Sequence, residues 1–142
     1  MNLWALAAGE AIPHSWELGP ITRSDCVRYQ GASGDFEPIH HDEPFALSAG
    51  YDAPLIIGMY PAGAVSAWMA TLWGVDSVRE TTIRWTGQVW PGDSLRAEVI
   101  IDEVEPAARW VAITLSNQED QEVLRLRMRF VQTSAESDIS PS

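Results

Sequence analysis

The chain has 142 residues, 46% of them apolar and 20% charged. By length and composition that is one soluble globular domain, large enough to fold without a metal or disulfide staple. Its 20 acids against 9 bases, every base an arginine, leave a formal charge of -11, which argues against nonspecific binding to nucleic acid or to an anionic membrane, since both need basic patches.

The N-terminus has no basic segment before its apolar run, which stops at Glu10, so it is a poor signal peptide. The first ~20 residues read as extended chain. Thr22-Arg23-Ser24-Asp25 resembles a capping box with Asp in the Glu position, and predicts a helix to about Ala32. Cys26 falls inside that helix without a recognisable base and is expected to be a small core residue. As the sole cysteine it forms no internal disulfide, which fits a reducing compartment, the cytoplasm. Gly31, Gly34 and Pro38 then break the chain, and Asp42 caps a short helix over Glu43 to Ala49 that Gly50 closes.

From Ala53 to Gly74 the chain carries no charge and is long enough to span a bilayer. Pro54, Gly58, Pro61 and Gly63 crowd its first half, Asp52 and Asp76 flank it, and no basic anchor stands nearby before Arg79. The reading adopted is a loop feeding a helix from about Gly58 to Gly74, apolar and buried on every face. Its small residues, from Ala62 to Ala70, let other backbone approach closely, while Trp68, Met69, Leu72 and Trp73 supply bulk.

After Gly74 the period becomes two. Thr81, Ile83 and Trp85 alternate with polar neighbours, as do Leu95 to Ile101, Val111 to Leu115, and Leu124 to Phe130. These predict four antiparallel strands, each with one buried face, with Pro91-Gly92-Asp93 turning between the first two. The expected organisation is α+β: one domain over residues 1–132, a sheet wrapped around one helix, then a disordered polar tail over residues 133–142. One helix and one sheet leave an edge open, which predicts a homodimer or a heterodimer.

The stretch from Tyr29 to Ala46 carries the chemistry. It brackets a turn with glycines and presents a carboxylate, Asp35, and an imidazole, His40, with Pro38 stiffening the chain between them. Such a pair can activate a water or move a proton near neutral pH, though a polar helix terminus has the same residue types. Asp42 reads as an N-cap and His41 as solvent-facing; His14 is isolated and structural. Asp35, Glu37, His40 and His41 have the right ligand types for a metal, but adjacent histidines point apart and no His-x-x-x-His spacing exists, so no metal is expected.

The same stretch resembles the signature of the MaoC-like R-specific enoyl-thioester hydratases and dehydratases: an aromatic residue, Ser-Gly-Asp-x-Asn-Pro-aliphatic-His, and a small residue six on. Asp35 and His40 fall on that family's catalytic pair, and Ala46 on its small residue. Ile57-Gly58-Met59 with Ser66 resembles the family's second block, His-Gly-Met with a serine eight after the glycine, and Val89-Trp90-Pro91-Gly92-Asp93 resembles its downstream turn. The resemblance runs in order from about Gly9 to Phe130 and implies the hotdog fold. Two positions depart: Glu37 stands where the family has Asn, and Ile57 where it has His. A second carboxylate at Glu37 would oppose full ionisation of Asp35 if both faced one cavity. In that case Glu37→Asn should lower the acidic limb of the pH–rate profile.

The resemblance implies the interconversion of a trans-2-enoyl and a (3R)-3-hydroxyacyl thioester. Asp35 and His40 would hold one water. The Gly58 N–H, at a helix N-terminus, would receive the thioester oxygen, with Ser66 supporting the pair. No cofactor is implied beyond coenzyme A, or the phosphopantetheine of an acyl carrier protein, as substrate carrier. Apolar residues around the helix, with Trp85, Trp90 and Trp110, could receive the acyl chain. The stripe Arg125, Arg127 and Arg129 reads as a solvated face, or else as a contact for carrier phosphates. The alternatives left open are a subunit active only beside a second hotdog chain, a noncatalytic thioester-binding member, and a thioesterase.

Overall fold

The computed structural model describes residues 1–133. The tail expected to be disordered lies, from residue 134 on, outside the described residues. The fold is α+β, a five-stranded antiparallel sheet with one long helix packed on it: the hotdog architecture. Strand β1 is Glu17–Leu18; helices α1, α2 and α3 are Arg23–Ser33, Glu43–Ser48 and Met59–Trp73; strands β2 to β5 are Val78–Trp85, Leu95–Glu105, Ala108–Ser116 and Glu122–Val131. The sheet order is β1-β3-β4-β5-β2.

The local punctuation acts as expected. The Thr22 hydroxyl accepts from the Asp25 N–H while the Asp25 carboxylate accepts from the Thr22 N–H, so the capping box opens α1. Gly34 ends α1 at φ 77°, a left-handed conformation that costs a glycine nothing. The Asp42 carboxylate accepts from Phe45 N and caps α2. Within the sheet, Leu95, Val99, Ile101, Val111, Ile113, Leu115, Leu124, Leu126, Met128 and Phe130 are all buried. Period-two alternation therefore puts one face of β3, β4 and β5 into a single core shared with Val65, Met69 and Trp73 of α3.

Three expectations change. Helix α3 is not buried all round: Ala62, Val65, Met69 and Trp73 form a buried stripe, while Ala67 and Thr71 are exposed. The protomer's sheet covers only one side of the helix, and small residues tolerate the open side. Strand β2 buries neither face fully; Thr81 is exposed and Trp85 is 50% exposed. Among the described residues it is the outermost strand, paired only with β5, so its inward face overhangs the core. The Pro91-Gly92 turn falls between β2 and β3 in sequence, as expected, and the chain crosses there to a strand separated from β2 by β4 and β5 in the sheet. Finally, the extended N-terminal region contributes a strand: Glu17 and Leu18 pair with Arg96 and Leu95. Upstream, Ile12 N donates to the Val99 carbonyl and Ile101 N to the Glu10 carbonyl, lining the N-terminal segment along β3.

Candidate active site

The loop between α1 and α2 meets the start of α3 at a cavity of about 360 Å³, whose lining includes Asp35, His40, Ile57, Gly58, Trp85 and Val89. The structure thus brings together residues far apart in sequence: the carboxylate, the imidazole and the amide-bearing end of a 15-residue helix. The first amides of an α-helix have no acceptor within it and carry the positive end of its dipole, so this end attracts developing negative charge.

His40 is oriented by a single bond. Its Nδ1 lies 2.7 Å from the Leu55 carbonyl oxygen. A carbonyl only accepts, so Nδ1 carries the hydrogen and, in the neutral ring, Nε2 keeps its lone pair. Asp35 turns back on its own loop: Oδ1 accepts from the Glu37 N–H at 3.2 Å, and the Asp35 N–H donates to Ser33 Oγ at 3.2 Å. Both side chains are open to solvent to some degree in the protomer, His40 less so than Asp35.

Gly58 has a steric role. A Cβ built there would lie 2.4 Å from Trp85 Nε1 and 2.8 Å from Trp85 Cδ1. Only glycine lets the indole of the edge strand lie against the helix entrance. Ser66 sits two turns further along α3, where its hydroxyl donates to the Ala62 carbonyl at 2.7 Å; it is not among the lining residues. Glu37 is exposed and also outside the lining, so within the single chain the two carboxylates do not face one cavity.

Of the three tryptophans expected around an acyl chain, Trp85 alone lines this cavity. Trp90 packs against Tyr51. Trp110 lies on the outer sheet face, donating its indole N–H to Glu105 with the Arg127 guanidinium 3.9 Å over its ring. The arginine stripe is neutralised there: Arg125 pairs with Glu122, Arg127 with Asp102 and Glu103, and Arg129 with Glu105. This is the solvated-face reading. Asp42 is a cap, as expected, and Cys26 is a buried core residue whose Sγ faces the His40 carbonyl at 3.9 Å. Burial pushes the Cys26 thiol up, against a smaller lowering by the Ile57 N–H, and the Asp35 charge adds to the rise. The thiol therefore stays protonated at neutral pH.

Sequence reasoning missed one residue and one contact. Trp85 was expected at an acyl pocket, but its place against Gly58 follows only from the sheet order. Gln30 reads as a polar residue in a polar helix, yet its side chain is 2% exposed and bonded to the site loop. The single available signal was its place one turn before that loop.

Fold and site together define a hotdog protein in which a carboxylate, an imidazole and a helix N-terminus line one largely apolar cavity. The family model described as a MaoC like domain matches residues 10–123, and the chain belongs to that family. A 3-hydroxybutyryl-CoA dehydratase from Methylorubrum extorquens is 30% identical over 106 residues, covering 73% of this chain and 68% of the relative. The structure of R-hydratase PhaJ1 from Pseudomonas aeruginosa, unliganded, superposes with a TM-score of 0.79 at 25% identity, covering 90% of this chain and 83% of that one. The ChsH1-ChsH2 complex from Mycobacterium tuberculosis shares the fold, with a TM-score of 0.78 at 16% identity, covering 89% of this chain and 98% of that one. The protein is an enzyme of the hydratase/dehydratase class. Among the described residues no helix is long and apolar enough to cross a membrane.

Proposed function

We propose that the protein adds water reversibly to a trans-2-enoyl thioester, giving the (3R)-3-hydroxyacyl thioester, with coenzyme A as the carrier. The observation that carries this reading is the single apolar cavity lined together by Asp35, His40 and Gly58. In the hydration direction, the water oxygen bonds to C3 while His40 Nε2 takes one of its protons. Asp35 accepts a hydrogen bond from the same water and orients it. The C2=C3 π electrons move toward C1, and negative charge grows on the thioester oxygen. The Gly58 N–H, backed by the dipole of α3, stabilises that charge. The proton held on His40 passes to C2, so one molecule of water is consumed and the pair returns to its starting state. No resident cofactor takes part in these steps. The similarity to a relative named for a coenzyme A substrate supports coenzyme A over an acyl carrier protein, and the strongly acidic chain disfavours an acidic carrier.

The test is to incubate the purified chain with short, long and sterol-like 2-enoyl-CoA substrates and follow loss of the conjugated enoyl absorbance. Hydration of at least one substrate, with the 3R product, supports the reading. No turnover of any of them counts against an enzyme that works alone.

A second reading rests on the open edge. Among the described residues strand β2 has no partner on its outer side, and Trp85 and Met59 stand exposed there. A second hotdog chain joined at this edge, identical or not, would cover the cavity mouth. The ChsH1-ChsH2 structure is that of a complex. Light scattering should show a dimer, or a monomer without activity that gains it on adding a partner chain. A stable, active monomer would refute this second reading.

A further inference from the structure

We infer that Gln30 is a positioning residue that holds the Asp35–His40 loop in its working shape; the inference rests on the reaction proposed above. Gln30 lies in the last turn of α1, and its backbone carbonyl accepts from the Gly34 N–H at 2.9 Å. Its side chain is 2% exposed. The amide Nε2 lies 3.1 Å from the Asp35 carbonyl oxygen, 3.4 Å from the Glu37 carbonyl oxygen and 3.0 Å from His41 Nδ1. The two carbonyls only accept, so the nitrogen of the amide, and not its oxygen, must face them. It follows that His41 Nδ1 is an acceptor and that the neutral His41 ring carries its hydrogen on Nε2.

The arrangement has a geometric consequence. The contacts bracket the reactive pair: one is on the backbone of Asp35 itself, one is on Glu37, and one is on the residue that follows His40. The seven residues 35–41, which lie between α1 and α2 and contain one 3-10 turn at Pro38–His40, are thereby tied at both ends and near the middle to one side chain anchored in a capped helix. Without that amide the Asp35 carbonyl and His41 Nδ1 would lose their donor, while the Glu37 carbonyl would keep the His40 N–H at 3.1 Å. His40 would keep its bond to Leu55, so the imidazole would stay while the carboxylate wanders from it. Misplacement of one reacting group by about 1 Å costs up to a hundredfold in rate.

The experiment uses Gln30→Met, which keeps length and loses the donor, and Gln30→Glu, which keeps shape and donates only when protonated. Gln30→Met should lower kcat on the order of tenfold while leaving KM within about twofold, because the substrate cavity is not lined by Gln30. In an Asp35→Asn background the same substitution should cost nothing further, since Gln30 acts through Asp35. Gln30→Glu should lose turnover relative to the native chain as pH rises, because an ionised carboxylate has no hydrogen to give; a purely structural role would not produce that dependence. Native kcat in Gln30→Met, or an undiminished cost in the Asp35→Asn background, overturns the inference. If Gln30→Met does not fold, the pH dependence of Gln30→Glu decides. Amide hydrogen exchange over residues 35–41 provides a readout independent of turnover. Faster exchange there in Gln30→Met supports the clamp even if the native chain hydrates no enoyl thioester, a result that would overturn the proposed function and not the clamp. Unchanged exchange overturns the clamp.

Discussion

The two ends of helix α3 differ in how they are held. At its C-terminal end Trp73 is 1% exposed, with the Trp4 ring edge-on at 4.9 Å and the Phe130 ring stacked at 5.1 Å. At its N-terminal end Met59 is 41% exposed, and the helix meets a cavity and an overhanging indole. Close packing of aromatic surfaces fixes the first end, where among the described residues the buried Trp73 indole N–H finds no acceptor. The loop that faces the second end is held by individual hydrogen bonds: His40 to Leu55, Asp42 to Phe45, Gln30 to the Asp35 carbonyl. Apolar packing supplies stability in proportion to area, whereas directed bonds supply orientation at small net energy. A helix with one tightly packed end can leave its other end open for chemistry.

The comparison breaks first if the packed end is not where stability lies. Trp73→Ala should cost about 3–5 kcal/mol of unfolding free energy, measured by denaturant titration, while whatever remains folded keeps its turnover. The converse holds at the open end. Asp35→Asn and His40→Ala should each cost about a hundredfold or more in turnover, with denaturation midpoints near the native one. Native turnover in either folded variant would remove that residue from the mechanism.

Gly58→Ala sharpens the picture of the open end. The new Cβ meets the Trp85 indole, which must move off the helix entrance. Turnover should fall on the order of tenfold with little change in stability, and Trp85→Leu in the same chain should restore part of it. If Gly58→Ala alone is harmless, the indole does not define the entrance.

The outer sheet face offers a smaller, pH-dependent effect. Hydrogen bonds from Arg129, then from the Trp110 indole, hold the Glu105 carboxyl below the ordinary value of 4.5. Glu122 is lowered likewise by Arg125. A lowered folded value means the stabilisation is present above the unfolded value and is lost as pH falls through the folded one. Midpoints should therefore drop on acidification below about 4.5, and Glu105→Gln should flatten that drop slightly, the more weakly at high salt. The smallest effect belongs to Glu37→Asn. Its side chain is exposed and outside the cavity, so turnover should stay within about twofold of native and the acidic limb of the pH–rate profile should not move. A lowered limb would show that the two carboxylates do share a cavity in the working assembly.

Much of this was legible from residues in chain order. The capping box at Thr22, the Asp42 cap, the breaks at Gly34 and Gly74 and the alternation in β3 to β5 are all near-neighbour effects, encoded within a turn of helix or a few strand residues. The same holds for the Asp35 and His40 motif, whose members stand five positions apart. Other features depend on contacts across the chain. Strand order put β2 at an edge and exposed the face that its alternation should have buried. Trp85 reached Gly58 only because the edge strand overhangs the helix entrance, and Trp110 went outward with the arginines. Gln30 became the hub of the loop because α1 packs beside a segment that runs back past it. By itself the sequence determined the main helices, the four long strands and the residue types of the pair, because backbone propensity and hydrogen bonding between near neighbours decide those. The tertiary structure alone decided which side chains share the cavity, which face of α3 stays open and what holds the loop, because those follow from packing between segments whose separation no local pattern records.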